Sequence, residues 1–410
     1  MKMPSMLFLR TGSRWRRLVV ALLALVTATV VYATVSLTVF VLRQSADPFQ
    51  QNVATWARDH RLGFVVNRLE RWVHADPPSA QPASSLALEG VAGTALPPST
   101  SAVIDTVGPS SSPAPATSTP VSAAPTTSVP AGPVSLAPAL QPSLDGEGVW
   151  RVLASIGASP VVWGTSIRPL VEYGSVVATA AVFDPSRLHA ALFNGSEIPG
   201  KGPWKNGSRI TKGALPALVA AFNGGFRLEH IRGGYVTEGR TVRRLRNGEA
   251  TLAIDRDGRL ALGVWGKDLV DDGSWASVRQ NLPPVVMDGA VSVKKFPGTY
   301  WGDDFHRVTF TYRSAICTRR DGLLMYVAIG DVDIMLLGRS LVVMGCITAM
   351  QLDINGNWPQ FDTYGGFGQD KRVPALLDRR MSNASRYLRR STKDFIALFD
   401  PATLRDGVLG

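Results

Sequence analysis

Ala220-Ala221-Phe222-Asn223-Gly224-Gly225-Phe226 is the stretch on which the fold reading turns: a short apolar run that ends in an amide and two glycines. The same pattern recurs twice. Val285-Val286-Met287 runs into Asp288-Gly289, and Met350-Gln351-Leu352 runs into Asp353-Ile354-Asn355-Gly356. Apolar runs of this length, punctuated by Gly and Asx, read as strands that place the following loop rigidly. Glycine there lets the backbone approach a ligand or adopt φ > 0. Three such junctions bearing Asn or Asp point to one polar site assembled from separated parts of a sheet. The bland reading is that Asn, Asp and Gly gather at strand ends for turn chemistry alone. The combination therefore carries the inference, and no single motif does.

Around these junctions, residues 178–183, 251–254, 260–264, 308–312 and 323–328 also read as strands. Asp255-Arg256-Asp257-Gly258 and Arg319-Arg320-Asp321-Gly322 place Asp-Gly at hairpin positions. Helices are fewer, at 209–220 and 338–344. The pattern predicts an α+β fold: a globular domain over 146–410, with a mixed β-sheet and few flanking helices.

The N-terminal part is different. Arg10, Arg14, Arg16 and Arg17 precede an uncharged run over 18–42, which Arg43 closes. As a helix that run is about 37 Å long, enough to cross a hydrocarbon core of about 30 Å. Its basic flank predicts residues 1–17 in the cytoplasm and everything after Arg43 outside, in a single-pass protein of the cell membrane. A cleaved signal peptide is the competing reading. Residues 49–74 carry Val53, Trp56, Leu62, Val65, Leu69 and Trp72 at helical spacing. They read as a juxtamembrane amphipathic helix that lies on the membrane, pairs with a second copy or packs on the main domain. Residues 75–145 form a Pro/Ser/Ala/Thr-rich stretch without Lys or Arg, read as a disordered linker.

The net charge is +11, concentrated in the last domain. Arg240, Arg243, Arg244 and Arg246 form one cluster, and Arg379, Arg380, Arg386, Arg389 and Arg390 another. Outside a membrane such patches suit anionic envelope polymers or lipid head groups, and the topology argues against nucleic acid. Cys317 and Cys346 are the only cysteines, open to a disulfide or to two buried thiols. No metal-binding spacing occurs. Asp353-x-Asn355-x-Asn357 lacks the glycine and glutamate of a calcium loop, and no cofactor is expected.

Taken in order, the motifs resemble the phosphodiester glycosidase family. Asn223-Gly224-Gly225-Phe226 is like its "NGGFF". Gln280-Asn281-Leu282-Pro283 through Asp288-Gly289 is like its "PxLVxDG" strand. Arg313-Ser314-Ala315-Ile316-Cys317 with Asp321-Gly322 is like its "RTAIG…DG", and Met350-Gln351-Leu352-Asp353 is like the strand entering "LDGGGS". The resemblance covers roughly 176–364. Two departures stand out: the last loop reads Leu352-Asp353-Ile354-Asn355-Gly356-Asn357, a form associated with membrane-anchored actinobacterial members, and Arg227 replaces the second phenylalanine of "NGGFF".

The resemblance implies a hydrolase that cleaves sugar-1-phosphodiesters in the cell envelope. Such a reaction needs a carboxylate near the anomeric carbon, a second acid or base, and donors around the phosphate. Asp353 is the expected essential carboxylate, and Asp288 and Glu229 are candidates for the second. His230 is a candidate proton shuttle. Arg313 and Arg227, with the amides of Gly224 and Gly225, are expected on the phosphate. Asn223 and Asn355 are expected to orient sugar hydroxyls, and Asn281 is expected among the substrate-binding residues. The bland alternatives make Asp288-Gly289 a hairpin turn, Arg313 a structural partner of Asp353, His230 a solvated loop residue and the 379–390 cluster a solvated surface. A non-catalytic glycan- or phosphate-binding envelope protein is the alternative function, and an anchored scaffold a third.

Overall fold

The computed structural model describes residues 11–43, 49–63, 65–66, 68–69, 76–88, 132–297, 301, 309–354, 356–365 and 373–410. The chain divides into two compact units, Met1–Leu69 and Glu70–Gly410. In the first, α1 (Thr11–Arg43) contains the 28-residue stretch Trp15–Leu42, whose mean hydropathy of 2.5 and length suffice to cross a membrane. A shorter helix, α2 (Phe49–Asp59), packs on it, with Trp56 Nε1 donating to Ser36 Oγ at 3.0 Å. The single helix expected over 49–74 is interrupted. Arg61 takes the left-handed φ of 63°, which a continuous helix does not accommodate, and described residues from 63 to 69 are helical again. Residues 70–74 lie outside the described residues.

The second unit is built of three sheets. The largest has eight strands: β1 (Arg151–Ile156), β2 (Ser159–Ile167), β3 (Ala178–Phe183), β14 (Leu324–Val332), β13 (Thr311–Arg319), β15 (Cys346–Ile354), β11 (Val286–Met287) and β12 (Ala290–Val291), in that spatial order. A second has β7 (Arg240–Arg243), β6 (Tyr235–Thr237), β10 (Trp275–Gln280), β8 (Ala250–Asp255) and β9 (Leu260–Val264). The third has β17 (Val373–Leu376), β16 (Phe361–Gly365), β5 (Leu218–Asn223), β18 (Phe395–Phe399) and β4 (His189–Phe193). The strand-rich α+β domain with few helices is as the sequence led us to expect. Every ladder between these strands is antiparallel, which refines the mixed sheet.

The central core lies where the three sheets meet. Phe183, Leu192, Phe222, Leu252, Tyr326, Leu352, Phe361 and Ile396 belong to it. Each large apolar side chain buried there contributes about 1.5–3 kcal/mol. The far side of the first sheet is covered by α3 (Ile334–Val343), whose N-terminus is capped by Asp333 accepting from Leu336 N–H at 2.7 Å. The helix expected over 209–220 is instead a 3-10 turn at Leu215–Ala217 leading into β5. Pro216 interrupts a helix there, and every residue of β5 is buried, as in a strand covered on both faces. The Asp-Gly turns join β8 to β9 and β13 to β14, with Gly258 and Gly322 at φ of 79° and 80°.

The stretch 75–145 is docked on the domain at both ends. Ala83 N–H donates to Gly174 O (2.9 Å), and Arg379 N–H to Ala87 O (3.1 Å). Leu136 N–H reaches Gly148 O (3.0 Å), and Trp150 Nε1 reaches Val134 O (2.9 Å). The linker expectation averaged over composition. It missed that Ala87 and Leu88 at one end, and Leu136 at the other, offer apolar side chains to the sheet domain, with backbone groups at Ala83, Ala87, Val134 and Leu136 joining them. Residues 89–131 lie outside the described residues.

Candidate active site

The site forms where the ends of β5 and β15 meet the start of β18. Because β18 runs antiparallel to β5, with Phe395 opposite Asn223, the residues just before β18 arrive beside those just after β5. Lys393 and Asp394 thereby sit against Gly224, whose N–H donates to Asp394 O at 3.0 Å. From the first sheet, β15 delivers Asp353. The β13–β15 register shifts between Arg313 and Ala315, and the side-chain alternation breaks with it: Leu352 packs in the central core and Ile354 in the core under α3. Asp353 lies at this break, the kind of irregularity that re-aims a side chain.

Asp353 and Lys393 form a buried ion pair, with Nζ to Oδ2 at 2.5 Å and side chains 4% and 9% exposed. Ile354 N–H donates to the other carboxylate oxygen at 2.9 Å. Burial pushes the Asp353 carboxyl above its usual value; Lys393 pulls it back and Asp394 pushes it up further. Burial pushes the Lys393 ammonium down, Asp353 opposes this, and the nearby Arg227 adds to it. The Trp358 ring lies under Lys393 Nζ (4.0 Å) and under the Arg386 guanidinium (4.8 Å). A second buried pair stands alongside. Arg279 Nε donates to Asp394 Oδ2 at 2.8 Å, and its Nη2 to Asp394 Oδ1 at 3.4 Å. Arg227, half-buried at the rim, pairs with Glu197 (3.3 Å) and Glu229 (3.5 Å).

Asn223 is the hub that joins the sheets. Its Nδ2 donates to Ser314 Oγ (3.1 Å) and Gly224 O (3.0 Å), and its Oδ1 accepts from Tyr326 Oη (2.9 Å) and Gln360 N–H (3.0 Å). Ser314 Oγ in turn accepts from Asp353 N–H at 3.3 Å. Three of the motifs quoted above, from β5, β13 and β15, thus meet at one serine hydroxyl. Asn281, fully buried, staples the glycine loop to β15: its Oδ1 accepts from Phe226 N–H (3.1 Å) and its Nδ2 donates to Leu352 O (2.8 Å) and to Gln351 O. With their side-chain groups so engaged, Asn223 and Asn281 hold the strand ends and the glycine loop together. The glycines serve the same closeness. A Cβ on Gly224 would come within 2.3 Å of Asp394 Oδ2, and one on Gly225 within 2.7 Å of Asn281 Oδ1. The Gly224 amide is committed to Asp394, while that of Gly225 has no partner among the described residues.

Other expected residues fall elsewhere. Asp288 caps the β11–β12 hairpin with its side chain 74% exposed, 3.2 Å from Lys267. The adjoining Gly289 N–H bonds Ile347 O, at the opposite end of β15 from Asp353 and so about 20 Å away along the strand. It is a turn residue outside the site. Arg313 is buried on the other face of β13 from Ser314, donating to Val332 O (2.7 Å), Thr309 O (2.9 Å) and Gln351 Oε1 (3.1 Å). It braces the sheet and touches neither Asp353 nor solvent; burial pushes it down to about 10. Glu229 and His230 lie on a 3-10 turn at the rim, Glu229 exposed. Asn355 lies outside the described residues. Of the arginines expected on a solvated surface, Arg386 is buried and donates to Asn357 O (2.7 Å), and Arg380 is partly buried and pairs with Asp378 (2.6 Å).

Sequence reasoning missed Lys393, Asp394, Arg279, Glu197 and Trp358. It examined where strands end, whereas Lys393-Asp394 stands where an antiparallel strand begins. The signal was present: two charges immediately before the apolar run Phe395–Phe399. Cys317 and Cys346 are joined across β13 and β15, with S–S 2.06 Å. Among the described residues no group of three His, Cys, Asp or Glu gathers in a metal-holding arrangement.

This is a three-sheet antiparallel domain with a buried cluster of two carboxylates and their cations at its strand mouths. Residues 217–353 match the family model described as phosphodiester glycosidase, so the resemblance read from the motifs is borne out. Among solved structures, the chain is similar to the zebrafish N-acetylglucosamine-1-phosphodiester alpha-N-acetylglucosaminidase catalytic domain auto-inhibited by pro-peptide. That likeness has a TM-score of 0.40 at 16% identity and covers 61% of this chain and 87% of that one. It is also similar to a Synechocystis protein (TM-score 0.35, 11% identity, 60% of this chain and 63% of that). An exported protein from Burkholderia pseudomallei K96243 gives a TM-score of 0.34 at 13% identity, over 56% of this chain and 75% of that. No curated protein matches the chain.

Proposed function

We propose that this protein is a membrane-anchored, extracytoplasmic hydrolase that cleaves the glycosidic bond of sugar-1-phosphodiesters in cell-envelope glycans. The observation that carries the reading is the buried Asp353–Lys393 pair, set at the point where three motifs of the glycosidase-like segment converge. The anchor reading rests on the length and apolarity of Trp15–Leu42 and on the basic residues before it.

In this reaction a water oxygen bonds to the anomeric carbon as the bond from that carbon to the phosphate oxygen breaks. The products are a free sugar and a phosphomonoester, and the water proton passes to a protein carboxylate or to the leaving phosphate. The transition state carries positive charge at the sugar and growing negative charge on the phosphate. Asp353 serves the first of these, and burial, which raises its carboxyl above the usual value, suits it to accept a proton. Lys393, Arg227 and the Gly225 N–H surround it with donors for phosphate oxygens. Asp394, fixed by Arg279, is the second carboxylate in place of Asp288.

The test uses the full-length protein in detergent micelles with a panel of sugar-1-phosphodiesters, including N-acetylglucosamine forms, and measures released reducing sugar. Release by the wild type that is lost in Asp353→Asn, with ligand binding retained, supports the reading. Binding without release in the wild type would replace it with a non-catalytic glycan-phosphate receptor.

A further inference from the structure

A run of arginines follows the site loop along the chain. The loop that begins at Arg227 is locked to the edge of the second sheet: Arg243 donates to Leu228 O, and a Cβ on Gly234 would meet Arg244 O at 2.4 Å. The Gln280 amide completes the lock. Its Oε1 accepts from the N–H groups of Gly234 and Arg246, both at 2.8 Å, and its Nε2 donates to Arg246 O at 2.9 Å. The loop and the edge strand β7 therefore move as one body with the glycine motif. Along this body Arg232, Arg240, Arg244 and Arg246 are exposed, and the last three have no ion-pair partner among the described residues. Of the carboxyls along it, Glu229 pairs with Arg227, Glu238 accepts from the Lys205 and Asn206 N–H groups, and Glu249 is buried with its Oε2 lacking a hydrogen-bond partner among the described residues. Burial pushes it up to about 7 despite Arg232 and Arg246 nearby, so it does not fully offset their charge.

Arginines also keep an edge strand from pairing with another chain. That role needs charge anywhere on the strand, whereas here the charged segment is hydrogen-bonded to the loop that carries Arg227. From Arg240 to Arg244 the extended chain spans about 13 Å, so its charges can meet more than one phosphate group of a linear polymer. We propose that Arg232, Arg240, Arg244 and Arg246 form a phosphate-binding track that holds the successive phosphodiester groups of a linear glycan beside the site. The track rests on the glycosidase reading for its substrate, and its test does not.

The experiment titrates fluorescent linear polyphosphate into the full-length protein in detergent micelles at several salt concentrations. Two variants are compared: R240S/R244S/R246S, and R389S/R390S as a control that removes exposed charge elsewhere. Loss of three phosphate contacts lowers the slope of log affinity against log salt by about 2, and the control leaves it unchanged. An unchanged slope in the triple variant, or an equal fall in the control, overturns the track. Asp353→Asn retains the full slope. If polyphosphate binds through the track and no sugar is released from any substrate, the track stands and the glycosidase reading falls. If sugar is released and the triple variant binds as the wild type does, the track alone falls.

Discussion

Replacing Lys393 by methionine, which keeps most of the volume and removes the charge, isolates the energetics of the site. In the wild type Asp353 has Nζ at 2.5 Å and one backbone N–H at 2.9 Å, with both side chains of the pair less than a tenth exposed. Removing the lysine leaves a buried carboxylate with a single donor, and breaking a buried pair in this way costs about 3–5 kcal/mol. The protein reduces that cost by protonating Asp353, whose carboxyl burial already pushes above its usual value. Losing Lys393 pushes it higher still. With a folded value above the unfolded one, the contribution is present at low pH and lost as pH rises through the folded value. The loss in Lys393→Met is therefore smaller at pH 5 than at pH 8. Adding Asp353→Asn removes the orphaned charge, so the double variant recovers to within about 1 kcal/mol of the wild type. Urea unfolding followed by tryptophan fluorescence measures all four corners of the cycle, with Trp358 reporting from beside the pair. A loss under about 1 kcal/mol at pH 8, no dependence on pH, or a double variant no better than Lys393→Met would each refute the reasoning.

Gly224→Ala forces a Cβ into Asp394 and lowers stability by about 1–3 kcal/mol with loss of any sugar release, while Gly207→Ala, which meets open space, leaves the urea midpoint nearly unchanged. Glu249→Gln tests the buried carboxyl beside the arginine rim. Its proton affinity rises from about 4.5 to about 7 on folding, so the wild type loses stability as pH climbs through that window and the variant does not. At about 1.4 kcal/mol per tenfold the ceiling is about 3 kcal/mol, and screening around Arg232 and Arg246 brings it to about 1–2. Parallel pH profiles for the two proteins would rule this out.

Much of the architecture was legible because buried strands write themselves as apolar runs. β3, β8, β9 and the Asp-Gly hairpins stand where composition and turn chemistry put them. The helix expected over 209–220 failed because the pattern was weighed over Pro216 and over a strand buried on both faces. In the candidate site, the junction logic named Asn223 and Asp353, which the structure brings together through Ser314, but not their partners. Local sequence shows which residues leave a strand, whereas an antiparallel neighbour that starts at the same place is known only from the pairing. Arg313 and Ser314 make the same point. They are adjacent in the motif, and the alternation of β13 sends the serine to the site and the arginine to the opposite face.

The contacts that define the site join distant parts of the chain. Asn223 and Ser314 are 91 residues apart, Arg279 and Asp394 are 115, and Asp353 and Lys393 are 40. None of these contacts rewards the chain before a long loop has closed, so the cluster assembles late in folding. In a chain that emerges from its N-terminus, Lys393 and Asp394 follow Asn223, Arg279, Ser314 and Asp353 and are the last of the cluster to be made. Every truncated or stalled product short of them therefore carries an unpaired carboxylate or guanidinium in its interior. The cluster is complete only when β18 docks beside β5.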